Sequence, residues 1–286
     1  MKFRSFALLA AVTVGTWNGQ WFPSGRAEHR AKPEVEAKTI ADAGRMLREG
    51  IRKVDPAGTN DLILCFNEIR GPEAAEALCR AVGRTNLAVA IVSAYRRRDR
   101  FDMQQDVIAT TLPVVSANWS RWKLAKQVDE TPPRGYAHAL VVMPGAVTTA
   151  VYAVHLKSNY GQTTAAEAKA NRAKRSNAAR QLVRQEGAKR GRRPHPVIVA
   201  GDFNADAWAD DAGRETIFTD FSEAGFENIL EKTGPEGRIT NPGRGKWRGK
   251  TLDYIMTRSL RTVSAPVVVP AGPISDHSAV FANIVP

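Results

Sequence analysis

The feature that most constrains this chain is where its apolar runs stop. VTVGTW runs into Asn18, LILCF into Asn67 and Glu68, VYAV into His155, and VIVAG into Asp202-Phe203-Asn204. The last run, Ser278–Val285, is entered through Ser275-Asp276-His277. Short uninterrupted apolar runs are strands covered on both faces. Acidic, amide and imidazole groups therefore gather where strands leave the core. In open α/β sheets that edge is where ligands bind.

Helical patterns separate the runs, as in an α/β protein. Val35, Ile40, Ala43, Met46, Leu47, Ile51 and Val54 recur near the helical period over Pro33–Val54, ahead of Pro56. Pro72 opens a short helix that Gly83 closes, and Thr164–Lys189 is a long Ala- and Arg-rich helix. Further strands are expected at Leu87–Ser93, Val107–Thr111, Pro196–Ala200, Leu252–Met256 and Val263–Val269. His138–Met143 and Ala150–Leu156 form a hairpin about Pro144-Gly145. No fixed-period repeat, low-complexity tract or linker appears, so one domain over residues 12–286 is expected. Residues 1–11 read as a signal-like segment, basic then apolar, that merges into the first strand without a small-x-small cleavage site. Export and a cytoplasmic location are both open on that reading. No stretch reaches the roughly 18–20 apolar residues of a membrane helix, so no bilayer span is expected. Cys65 and Cys79 form no Cys-x-x-Cys pair and read as buried core thiols.

Lys and Arg total 41 against 29 Asp and Glu, a net charge of +12 that favours polyanionic partners. Ten of those cations fall between Glu167 and Arg193, with only two acids among them. The segment reads either as a nucleic-acid-tracking face, with Lys174, Arg175, Arg190 and Arg193 as contacts, or as a solvated helix face. A second cluster, Arg244, Lys246, Arg248 and Lys250, surrounds Trp247, which is suited to stacking on a base. Trp208 lines the site or anchors the core, and His29, His138 and His195 read as structural. A monomer is expected.

Glu68, Asp202 and Asp276 are carboxylates at ends of buried strands, a costly placement unless a cation compensates it. Oxygen donors without cysteine favour magnesium or manganese over zinc. Histidines beside them can move protons near neutrality.

In order, Thr16-Trp17-Asn18, Asn67-Glu68, His155-Leu156-Lys157-Ser158, Gly201-Asp202-Phe203-Asn204, Leu252-Asp253-Tyr254-Ile255 and Ser275-Asp276-His277 resemble the endonuclease/exonuclease/phosphatase superfamily, which includes deoxyribonuclease I. The resemblance spans residues 16 to 277. It implies a four-layer α/β/β/α sandwich of two packed mixed β-sheets with a divalent-metal site at one end. It further implies that Glu68 holds Mg2+ (or Mn2+), with Asn18 beside it and Asp276 close by. By the same resemblance Asp202 orients or deprotonates the attacking water and Asn204 binds a phosphate oxygen. His155 and His277 contact the phosphate, and Asp253 orients His277. The family more often has Gln where Asn67 stands and an aliphatic residue where Gly19 stands. The acidic partner that some members give their first histidine is not assigned among the candidates near Arg96–Asp106.

Three functions compete. The first is a metal-dependent nuclease acting on DNA or RNA. The second is a phospholipid or inositol-phosphate phosphodiesterase or phosphatase of the same superfamily. The third is an inactive nucleic-acid-binding module, which would gain nothing from a metal-ready carboxylate cluster.

Overall fold

The computed structural model describes residues 10–25, 31–97, 100–101, 103–187, 195–209, 215–243, 245 and 248–286. Along the chain run β1 (Val12–Phe22), α1 (Pro33–Val54), β2 (Asp61–Ile69), α2 (Pro72–Val82), β3 (Ala88–Val92), β4 (Arg96–Arg97), β5 (Arg100–Phe101), β6 (Gln105–Thr110) and β7 (Val114–Arg121). There follow β8 (Gly135–Met143), β9 (Val147–His155), α3 (Ala165–Gly187), β10 (Val197–Asp202), α4 (Ile217–Glu223), β11 (Glu227–Asn228), β12 (Asp253–Arg258), β13 (Arg261–Thr262), β14 (Val267–Val269) and β15 (Ala279–Val285).

Two mixed sheets face each other. The first orders its strands β13-β15-β1-β2-β6-β3, with β14 also on β15, and the second orders them β11-β12-β10-β9-β8-β7. Pairs β1/β2 and β9/β10 are parallel, and the other pairs in both sheets are antiparallel. Alternation along β2 explains its unbroken apolar run. Leu62, Leu64 and Phe66 pack under α1 and α2 with Met46, Leu47 and Leu78, whereas Ile63 and Cys65 point into the core between the sheets. On the far side Ala178, Ala179 and Leu182 of α3 and Ile217 and Phe221 of α4 join the core of the second sheet. The result is the expected helix–sheet–sheet–helix sandwich.

Helix α1 carries Pro33 at its start, Glu34 and Glu36 in its first turn, and Arg52 and Lys53 in its last. Each charge opposes the end of the helix dipole nearest to it. Gly83 closes α2 in a left-handed conformation, φ +77°. Cys65 and Cys79 are both buried and unpaired, and burial pushes the Cys79 thiol up to about 12. His138 is buried against the Tyr152 ring at 4.6 Å.

The structure departs from the sequence reading at Val263–Val269 and at β7, among other short elements. Of Val263–Val269 only Val267–Val269 (β14) is strand, and a second short strand, β13 (Arg261–Thr262), ends just before Val263. β7 was not expected at all: it is a sheet edge whose Val114 and Val115 stay exposed, so the burial that marks a strand is missing.

Register brings the strand ends into rows. On the second sheet Asp202 lies opposite Asp253 of β12 on one side and His155 of β9 on the other. On the first sheet Asn18 lies opposite Asn67. Gly201, one residue before Asp202, has φ +148°, and a Cβ there would lie 1.9 Å from the Val154 carbonyl oxygen. Gly201→Ala should therefore lower stability by on the order of 3 kcal/mol in thermal or denaturant unfolding. Gly187→Ala, where a Cβ meets nothing within 4 Å, should be neutral. Equal melting of the two variants would refute this account of the β10 end.

Candidate active site

The two rows meet at the Asp202 carboxylate, which is 1% exposed. Asn18 Nδ2 donates to Asp202 Oδ2 at 2.9 Å and reaches Glu68 Oε1 at 3.4 Å. His155 Nε2 stands 3.5 Å from Asp202 Oδ2 and 3.7 Å from Glu68 Oε1, and His277 Nε2 stands 3.9 Å from Asp202 Oδ2. The other Asp202 oxygen accepts the Asn204 N–H at 2.8 Å. Asn204 in turn donates its side-chain amide to the Leu156 carbonyl oxygen at 3.2 Å.

Local backbone follows from these demands. β1 loses register with β2 between Asn18 and Phe22, and β2 loses register with β6 between Phe66 and Ile69. Within those breaks Gln20, Trp21 and Glu68 take positive φ (+49°, +61°, +57°), as does Asn204 (+52°). Left-handed residues other than glycine are costly and gather at functional sites. Here the twist brings the Trp21 N–H to Glu68 Oε2 at 3.2 Å.

The Ser275-Asp276-His277 loop is tied to β1. Ser275 Oγ donates to the Asn18 carbonyl oxygen at 2.7 Å and accepts the His277 N–H at 3.0 Å. Trp17 Nε1 donates to the His277 carbonyl oxygen at 3.2 Å. His277 Nδ1 meets Asp253 Oδ2 at 2.7 Å. Asp276 stands at the margin, half-buried. Its N–H donates to Gln20 Oε1 at 2.9 Å, and its carboxylate makes no hydrogen bond or ion pair among the described residues. Of the three carboxylates singled out by the sequence, Glu68 and Asp202 thus share partners, and Asp276 is linked to the group through Gln20 and His277.

The two histidines differ in charge. Burial opposes a charged His277, but Asp253 and then Asp202 outweigh it and push the imidazole up to about 10. Burial, with the Arg134 and His277 charges, holds His155 well below its usual value, so it is neutral. Burial also pushes Asp202 up to about 7 against the pull of His277, Asn18 and the Asn204 N–H.

A carboxylate held that dry calls for a cation. Ligand atoms of Asp202, Asp253 and His277 lie within 4.8 Å of one another, but His277 Nδ1 is already engaged by Asp253 Oδ2 at 2.7 Å. The Glu68 carboxylate, with the Asn18 amide beside it and the Asp202 charge close by, fits a hard divalent cation better.

Residues to which the sequence reading gave no role support this centre. Asn67, fully buried, accepts the Asp202 N–H at 3.0 Å and donates to Asp106 Oδ1 at 2.7 Å, and the Tyr95 hydroxyl donates to Asp106 Oδ2 at 3.0 Å. Burial pushes Asp106 up to about 7. Asp106 is therefore a partner of Asn67, and His155 Nδ1 has no hydrogen-bond partner among the described residues. Arg134 Nη2 donates to the His155 and Leu156 carbonyl oxygens at 3.3 and 3.2 Å. The signal available in the sequence was Asn67 itself, an amide inside an otherwise apolar run.

Arg175 leaves the candidate basic face. It is 1% exposed, bonded to Glu215 and to the Lys157 carbonyl oxygen (2.7 Å) and Asn159 Oδ1 (2.9 Å), and cannot reach a ligand on the surface. Arg180 of α3 pairs with Asp220 at 3.1 Å. Lys174 remains half-buried beside a cavity. Arg190, Arg193 and Trp247 lie outside the described residues. Trp208 stacks on Tyr254 at 6.1 Å beneath the Arg238 guanidinium, as a packing residue does.

The pattern that defines the Endonuclease/Exonuclease/phosphatase family matches residues 15–277. The chain belongs to that family. Membership makes it a metal-dependent phosphoric ester hydrolase. No curated protein matches its sequence significantly. Among solved structures, an endonuclease/exonuclease/phosphatase family protein from Leptotrichia buccalis is similar at 15% identity with TM-score 0.63, covering 96% of this chain and 100% of that one. The human Nocturnin catalytic domain with bound sulfate has 16% identity and TM-score 0.62, over 96% and 93% of the two chains. Beta toxin from Staphylococcus aureus has 13% identity and TM-score 0.61, over 95% and 99%. Such identities establish a shared fold. Among the described residues no helix is long and apolar enough to cross a membrane.

Two outcomes check this site. Arg175→Met leaves the partly buried Glu215 carboxylate, 10% exposed, without its ion-pair partner, so it should cost about 3 kcal/mol in unfolding; an unchanged melt with weakened ligand binding would return Arg175 to the surface. Asp253→Asn removes the anion that keeps His277 protonated. The His277 pKa then falls from about 10 toward its ordinary 6.5, and the alkaline limb of the kcat profile should move down by more than one pH unit. A fixed limb would remove His277 from the protonic steps.

Proposed function

We propose that the protein is a Mg2+- or Mn2+-dependent nuclease acting on DNA or RNA. The observation that carries this reading is the cationic surround of a complete hydrolytic set. Arg134, Lys157 and Lys174 stand on the His155 side of the Asp202 centre, within a chain of net charge +12. A polyanion is drawn to such a field. The bound cation would lie with Glu68 and Asn18 and neutralise charge on the phosphate.

The chain's own residues supply the remaining chemistry. Asp202 Oδ2 accepts a proton from water as the water oxygen bonds to phosphorus. The bond from phosphorus to the ester oxygen breaks, and that oxygen takes a proton from His277, whose cation Asp253 maintains. Neutral His155 and the Asn204 amide orient the non-bridging oxygens. Asp276, beside His277, adds to the negative field that keeps the imidazolium charged.

A second reading, a phospholipid phosphodiesterase, draws on one observation. Leu124 and Val128, 86% and 89% exposed, lie on the loop joining β7 to β8 at the site end of the sheet. Exposed apolar tips suit a lipid surface.

Supercoiled plasmid incubated with Mg2+ should be nicked, and chelator should abolish nicking. Asp202→Ala should reduce the rate by at least about three orders of magnitude while circular dichroism stays unchanged. Turnover of sphingomyelin or an inositol phosphate without nicking would decide for the second reading, and an active Asp202→Ala would displace Asp202 from its role.

A further inference from the structure

Directly beyond His155 the chain turns into a cavity of about 460 Å³, within the range of small-ligand sites of roughly 300–1,000 Å³. Its walls include Lys157, Tyr160, Asn171, Lys174, Asp129 and Glu167. Buried Arg175 builds it: by binding the Lys157 carbonyl and the Asn159 side chain it folds the post-strand loop back on α3. Lys174, Asn171 and Glu167 recur at helical spacing and so share the face of α3 that looks into it.

Four charges line it, Lys157 and Lys174 against Asp129 and Glu167. The Glu167 carboxylate is occupied by the N–H groups of Thr163 and Thr164 at 2.8 and 2.9 Å. Lys157 and Lys174 have no ion-pair partner among the described residues, and the Lys157 ammonium donates only to the Ser158 carbonyl oxygen. Burial and then the Lys174 charge push the Lys157 ammonium down, and the Lys157 charge is felt in turn at His155. Asn171, 6% exposed, spends its side-chain amide on no described residue. Tyr160 stands at the rim, 94% exposed and without a ring contact. Two lysines that make no ion pair among the described residues, an uncommitted amide and an exposed aromatic ring border one concavity, two residues from the proposed scissile-phosphate ligand.

We infer that this cavity is a flanking-nucleotide subsite: the phosphate next to the scissile one sits between Lys157 and Lys174, and its base stacks on Tyr160. The inference rests on the nuclease reading. It adds that the substrate is a strand carrying at least one further phosphate beyond the cleaved bond, not an isolated diester. Dinucleotide-length contact of this kind combines a charged grip with sequence-tolerant stacking.

The test compares wild type, Lys174→Met and Tyr160→Ala on a single-stranded 12-mer and on bis(p-nitrophenyl) phosphate, a diester with no flanking phosphate. Each variant should lower the ratio of 12-mer to small-diester kcat/KM about ten-fold, mostly through KM. In chelator, Lys174→Met should bind the 12-mer with a salt slope shallower by about 0.7, the loss of one single-strand phosphate contact. Variants whose ratio and salt slope equal those of wild type would overturn the subsite while leaving the nuclease reading intact. Wild type that turns over the small diester but neither cleaves nor binds the 12-mer would overturn the nuclease reading itself. Competition by anionic phosphatidylserine vesicles in that case would assign the same cavity to a lipid headgroup.

Discussion

The hydrogen bond from Asn18 to Asp202 is the interaction on which the rest of the site depends. It joins the site end of a strand in one sheet to the last residue of a strand in the other, and both partners are 1% exposed. Neither group could stay so dry alone, since an unpaired buried amide or carboxylate is costly. Their pairing fixes the mutual position of the two sheets at this end of the sandwich. Asn67 strengthens the tie from below by taking the Asp202 N–H while bound to Asp106.

With the sheets so locked, a single oxygen, Asp202 Oδ2, lies within 4 Å of an amide and two imidazoles. The imidazoles are chemically identical, and their neighbours separate them. His277 has Asp253 at 2.7 Å and stays charged, while burial, and after it the Arg134, His277 and Lys157 charges, keeps His155 neutral. Opposite displacement of two like groups is how one pocket holds a proton donor and a neutral ligand at the same pH.

Much of this was legible in the sequence because strand ends are constrained twice, by burial on one side and chemistry on the other. Asn18, Glu68, His155 and Asp202 stood out as polar groups closing apolar runs, and register did the rest by aligning His155, Asp202 and Asp253 in one row. Arg175 was misread because burial cannot be inferred from residue type on a helix crowded with cations; its partner Glu215 is 40 residues away. Tyr95, Asp106 and Arg134 were missed for the same reason, since their roles arise only from contacts across the fold. The β7 edge escaped because half-exposed strands carry a weak alternation.

Trp17 and His277 touch across 260 positions of sequence, and β1 sits between β2 and β15 in the middle of its sheet. During synthesis on the ribosome the first strand therefore emerges long before one of its two neighbours exists. Until β15 and the serine-aspartate-histidine turn leave the exit tunnel, one side of β1 is an open template and Trp17 lacks its partner carbonyl. Such an open edge is a template for wrong strand pairing for as long as the rest of the chain is missing.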